Sequence, residues 1–139
     1  MATNLRDLYT KGFEVNTSYN FKINNLPQNL SMGFTFIEDE VGDLNINFSR
    51  YSINSLKHHF TSRLSTQFVK NINFNIIYKY AERTAGLSYN VWDASLVLTS
   101  KQFEFTATAS NIFDADYIET GFVPMPPSNV LFGLRYNFK

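Results

Sequence analysis

The stretch Asn129-Val130-Leu131-Phe132-Gly133-Leu134-Arg135-Tyr136-Asn137-Phe138, one residue short of the final lysine, alternates without a break. Successive side chains of an extended strand point to opposite faces. Val130, Phe132, Leu134, Tyr136 and Phe138 therefore share one face, and Asn129, Leu131, Gly133, Arg135 and Asn137 share the other. An apolar, aromatic face opposed by a mostly small or polar one, with Phe at the end, is the pattern of a strand in a bilayer-spanning barrel.

The same period recurs upstream. Phe13, Val15, Tyr19 and Phe21 oppose Glu14, Asn16, Ser18 and Asn20; Leu30, Met32, Phe34 and Phe36 oppose Asn29, Ser31, Gly33 and Thr35. The run from Leu56 to Val69 is less regular, whereas Ile72, Phe74, Ile76, Tyr78 and Tyr80 against Asn73, Asn75, Ile77 and Lys79 is among the clearest. Trp92, Ala94, Leu96 and Leu98 begin a fifth run, and Phe103, Phe105, Ala107 and Ala109 a sixth. No segment carries a helical period over three turns. The expected fold is all-β, an antiparallel up-and-down meander of about seven strands, each about ten to thirteen residues long.

Connections alternate in length. KINNLPQ, Lys70-Asn71 and Ser100-Lys101 are short, whereas Asp39 to Asn54, Thr84 to Ser88 and Asp114 to Ser128 are longer, and the last of these holds three of the four prolines. Outer-membrane barrels place short turns on the periplasmic rim and long loops outside, which would put the C-terminus on the periplasmic side.

Composition points the same way. Lys and Arg balance Asp and Glu at 12 each, so charge makes no case for nucleic acid or an anionic surface. Aromatics reach 17% and charged residues only 17%, against about 25% charged in ordinary soluble domains. The polar faces are dominated by Asn, Ser, Thr and Gly rather than Lys and Glu, which suits a lumen better than a free surface. Tyr9, Tyr19, Tyr78, Tyr80, Tyr89, Trp92, Tyr117 and Tyr136 fall mostly toward strand ends, as an aromatic girdle would. The absence of Cys excludes disulfides, thiolate metal sites and a Cys nucleophile. MATNLRDLYTKGF lacks the apolar run of a secretory signal. An exported barrel needs one, so the expectation is a soluble chain or a piece of something longer.

The segment from Trp92 onward resembles the C-terminal strands of TonB-dependent outer-membrane receptors. That family has an Asp-Ala-x-Leu strand, an Asn-Leu-Phe-Asp-x-x-Tyr signature, a loop with Pro and Gly, and a last strand ending in Arg-x-x-Phe or similar. Here these read Asp93-Ala94-Ser95-Leu96, Asn111-Ile112-Phe113-Asp114-Ala115-Asp116-Tyr117 and Arg135-Tyr136-Asn137-Phe138. Thr10 to Val15, TKGFEV, is similar to a recurring strand opening of the family. Family members usually stop at the terminal aromatic, whereas Lys139 follows here, and they are several times longer.

The resemblance implies that residues 1–139 are the C-terminal portion of a larger transmembrane β-barrel, with the plug domain and early strands absent. Seven strands alone in hydrocarbon would leave two open edges, each with roughly ten unpaired backbone groups costing several kcal/mol apiece. The implied function is uptake of a scarce nutrient, such as a siderophore, cobalamin or a glycan, across the outer membrane of a Gram-negative bacterium. Implied partners are outer-membrane lipid, the missing plug and strands, the barrel assembly machinery, and the TonB coupling protein through the absent N-terminal part. No nucleic acid, cofactor or enzymatic activity is implied. The alternatives are a soluble up-and-down barrel holding an apolar small molecule, and a small complete membrane barrel, which the odd strand count disfavours.

Candidate sites follow. Tyr117, Phe122 and Met125 lie on the Pro-stiffened loop as ligand-contact candidates. Glu14, Arg63, Lys79, Glu104 and Arg135 are expected to face the lumen. There the three cations either pair with Glu14 or Glu104 or meet the plug or an anionic ligand. Phe132, Leu134, Tyr136 and Phe138 resemble the C-terminal signal read by the assembly machinery. His58 and His59 are adjacent and point to opposite faces, so they are read as structural rather than as a metal pair. Glu38, Asp39, Glu40 and Asp43 are read as a solvated acidic loop, since their spacing matches no cation loop. Asp93 and Glu104 show no partnering nucleophile, and no catalytic residue is assigned.

Overall fold

The computed structural model describes residues 8–41, 55–84, 86–119 and 123–138. Within them, seven strands form one antiparallel sheet in chain order: β1 (Leu8–Ile23), β2 (Leu26–Val41), β3 (Leu56–Val69), β4 (Ile72–Arg83), β5 (Ser88–Ser100), β6 (Phe103–Ser110) and β7 (Asn129–Tyr136). The sheet is open, with β1 and β7 as its edges.

Several boundaries differ from the sequence reading. KINNLPQ is not a loop: β1 and β2 run through it, and only Asn24 and Asn25 turn, with φ of 50° and 62°. Two consecutive positive φ values are the mark of a type I′ hairpin turn, whose twist matches that of the strands, and Asn tolerates that region. Pro27 sits opposite Lys22 in β2, but the β2–β3 ladder starts only at Gln28, so its missing N–H costs no bond on that side. In the next hairpin Phe68 is an extra residue, bulged between the pairs Gln67↔Asn73 and Val69↔Ile72. The β5–β6 turn is Lys101-Gln102, one residue later than the alternation suggests, with Lys101 at φ 50°. Asn25→Gly should therefore stabilise the β1–β2 hairpin by about 0.5–1 kcal/mol, since glycine takes positive φ without a Cβ penalty; a urea titration checks it. β1 and β2 are longer than expected at 16 residues, and β6 and β7 are shorter at 8.

Register keeps one apolar face across the whole sheet. Leu30, Leu64, Ile76, Ala94, Ala109 and Val130 are paired in an unbroken aliphatic row from β2 to β7. On the side of the long connections lies an aromatic band, with ring centroids 5.9 Å apart for Phe13–Phe34, 6.1 Å for Phe60–Tyr78, 4.7 Å for Tyr78–Trp92 and 6.3 Å for Trp92–Phe113. His58 belongs to this band, 5.2 Å from Phe36, while His59 is opposite Thr35 in the other register set. A second band lies toward the short turns, where Phe68–Phe74, Phe105–Phe132 and Phe103–Tyr136 meet at 6.0, 6.1 and 4.9 Å. Such cross-strand ring pairs are worth about 0.5–1.5 kcal/mol each beyond their area.

No second layer covers this face among the described residues. Phe132 and Leu134 are each 72% exposed and Phe138 88%. The buried polar side chain Gln28 is satisfied, its Nε2 donating to the Leu26 and Gln67 carbonyls across β2 and β3. Among the described residues the buried aliphatic side chains are Ala81 and Val91, and both lie in the register set of the polar face.

Candidate functional site

The polar face carries two features, a hollow and a braced corner. The hollow has a volume of about 600 Å³ and runs from β1 to β5, lined among others by Asn16, Ser18, Ser31, Thr61, Arg63 and Lys79. The hollow crosses five strands of the polar face, and a smaller one of about 300 Å³ lies on the apolar face between Phe60, Ile76 and Trp92. Gly33 lets two polar side chains close over it: a Cβ there would stand 2.6 Å from Asn16 Oδ1 and 3.0 Å from Thr61 Oγ1.

Glu14, Arg63, Lys79, Glu104 and Arg135 all fall in the polar register set. Arg135 pairs with Glu104 at 3.1 Å across β6 and β7, as the sequence reading allows. Lys79 pairs instead with Asp93 at 3.1 Å, and Glu14 accepts from the Asn16 amide. The sequence reading missed the Lys79 partner because the two residues are not directly opposite: Asp93 faces Ile77, and Lys79 reaches it diagonally.

The corner is built on the β6–β7 connection, which begins at Asn111 rather than Asp114. Asn111 is 3% exposed and adopts φ 51°. Its backbone N–H donates to Asp93 Oδ1 at 2.9 Å, its Nδ2 donates to the Ala115 and Pro126 carbonyls, and its Oδ1 accepts the Ala115 N–H. Asp114 closes the other end by accepting the Ser128 N–H at 2.7 Å. The side-chain amide thus mimics a backbone turn and ties both arms of the connection together. Asp93 serves two elements at once, holding Lys79 on β4 and Asn111 at the end of β6.

Beyond this bracket the connection folds back on itself, with the Met125 N–H donating to the Tyr117 carbonyl and Ile118 bridging Pro124. The Tyr117 ring stacks on Tyr89 at 4.7 Å, and the Arg83 guanidinium donates to the Glu119 carbonyl. Burial in this corner, with the Glu119 charge nearby, holds the Tyr117 phenol above its ordinary pKa. Tyr117 and Met125 are therefore parts of a packed, preorganised connection. Phe122 and Asp43 lie outside the described residues, as does the Glu40 side chain. Glu38 pairs with Lys11 at 3.3 Å, and Asp39 accepts from Thr10 Oγ1, so these two acids brace β2 against β1.

Of the C-terminal residues, Phe132 and Leu134 project from the apolar face, and Tyr136 packs against Phe103 and Phe138. The Asn137 N–H donates to the Gln102 carbonyl, carrying the pairing one residue past β7. The whole arrangement offers hydrogen-bonding groups, a few paired charges and a braced rim. No protein-family model, curated protein or solved structure matches the chain.

Proposed function

We propose that the chain is the C-terminal portion of the barrel of a TonB-dependent outer-membrane receptor, a gated transporter that imports a scarce nutrient. The aromatic face carries the proposal. It is continuous over seven strands, splits into two aromatic bands around an aliphatic row, and is covered by nothing among the described residues. A surface of that kind matches a lipid-facing belt. The opposite face would then line the lumen, with Glu14, Arg63, Lys79, Glu104 and Arg135 toward the plug or the passing nutrient.

Strand direction adds support. β1 and β7 run the same way, so antiparallel closure of the sheet needs an odd number of further strands, giving the even total usual in these barrels. In the same picture the Asp93, Asn111 and Asp114 signature has a physical job, holding an outer loop to the barrel wall. Phe132, Leu134, Tyr136 and Phe138 would present the closing strand to the assembly machinery.

Detergent dependence tests the proposal. The full chain should remain monodisperse only in micelles and aggregate on detergent removal. A stable monomer in plain buffer would overturn the membrane assignment and favour a soluble barrel around an apolar ligand.

A further inference from the structure

Among the described residues, Arg63 is the mid-strand cation of the polar face that lacks a counter-charge. Lys79 is held by Asp93 and Arg135 by Glu104, and Lys22 sits at the hairpin end beside Asn24 and Asn25. Arg63 is exposed on the wall of the 600 Å³ hollow, and its side chain has no ion pair or hydrogen bond among the described residues. The carboxylate in its register row, Asp93, lies beyond Ile77 and is committed to Lys79 and to the Asn111 N–H.

Beside Ile77 and the Lys79–Asp93 pair, the hollow around Arg63 is lined by the hydrogen-bonding side chains of Asn16, Ser18, Ser31 and Thr61. The Asn16 amide donates to Glu14 and Ser18 Oγ accepts from Asn29, which leaves the Asn16 Oδ1 and the three hydroxyl protons to meet a ligand. Gly33, lacking a Cβ, lets the Asn16 and Thr61 side chains lean in over β2 and bring their polar atoms together. A guanidinium offers two parallel N–H groups that match a carboxylate. Hydroxyl and amide groups around it favour a ligand that brings hydroxyls of its own, and the volume lies within the range of about 300–1,000 Å³ usual for small-molecule sites.

We propose that Arg63, with Asn16, Ser18, Ser31 and Thr61, forms a binding site for a small hydroxylated carboxylate. Arg63 takes the carboxylate and the side chains around Gly33 take the hydroxyls. The site requires only the sheet and its register, so it stands apart from the membrane assignment.

Calorimetric titration of the full chain in detergent micelles tests it, with gluconate, glucose, acetate and a short Asp/Glu-rich peptide as probes. Gluconate should bind saturably, one per chain and at least about tenfold more tightly than glucose or acetate, because one charge-assisted hydrogen bond is worth roughly that factor. Arg63→Gln should lose that tenfold, Arg63→Lys should fall between, and Lys70→Gln, in the exposed β3–β4 turn away from the hollow, should bind as the parent does. Circular dichroism checks that each variant keeps its strands. Equal gluconate binding by Arg63→Gln would overturn the site, and acetate binding as tightly as gluconate would reduce it to a bare surface charge. Binding of the acidic peptide without gluconate would make the occupant a polypeptide and overturn the small-molecule assignment.

Discussion

Asn111→Ala should release the β6–β7 connection from the sheet while leaving the seven-strand ladder intact. The substitution removes two donated hydrogen bonds and one accepted, and it strands the Ala115 N–H in a corner where residue 111 is 3% exposed. At about 1 kcal/mol for each bond, with up to about 3 for a buried group left unsatisfied, the local cost is about 2–4 kcal/mol. The Asn111 N–H still reaches Asp93, so the damage should spread along the loop rather than into β5. Hydrogen exchange should rise by two to three orders of magnitude at residues 112–119 and 123–128, about what that cost implies. It should stay unchanged at β3 and β4. Uniform acceleration over the sheet would instead make Asn111 part of the global fold.

The second large effect comes from a matched pair on β4. Ile76 belongs to the aliphatic row of the apolar face, with Leu64 and Ala94 on either side, whereas Ile77 lines the hollow of the polar face beside Arg63 and Asp93. The residues are adjacent and chemically identical, so Ile76→Arg and Ile77→Arg differ only in the face that receives the charge. In lipid bilayers Ile76→Arg should cost about 2–4 kcal/mol, the range for arginine near the midplane of a barrel's outer face. Ile77→Arg should cost at most about 1 kcal/mol, since the Asp93 carboxylate opposite it on β5 offsets the like charge of Arg63 opposite it on β3. Denaturant titration of both variants, carried in the closed barrel to which we assign these strands and refolded in the same vesicles, measures the difference. Equal costs would mean that neither face is set apart by its surroundings.

Much of this was legible in the residues. All seven strands show in the alternation because a one-residue slip would move every Phe and Tyr to the other face, which fixes register strongly. Boundaries were less legible where turn chemistry is local. Asn24-Asn25 turns within two residues, and Pro27 is harmless only because β3 starts pairing one residue later, a fact of the neighbour strand that β2 does not carry. The Glu104–Arg135 pair could be anticipated because the two residues oppose each other directly. Lys79–Asp93 is diagonal, and the Asn111 bracket joins residues from 93 to 126 through an asparagine in the left-handed region. Alternation says nothing about such a residue. The asparagine at the end of a strand, followed three residues later by aspartate, was the available sign of a side-chain-capped turn.

Trp92 supplies the most direct test of the central claim, that the aromatic face meets lipid. It is the only tryptophan in the chain, and it lies on that face between Tyr78 and Phe113. With the full chain in micelles of a detergent brominated on its alkyl chain, Trp92 emission should be strongly quenched, and iodide added to the water should barely affect it. Efficient quenching by iodide together with indifference to the brominated chains would place that face in water and contradict the assignment.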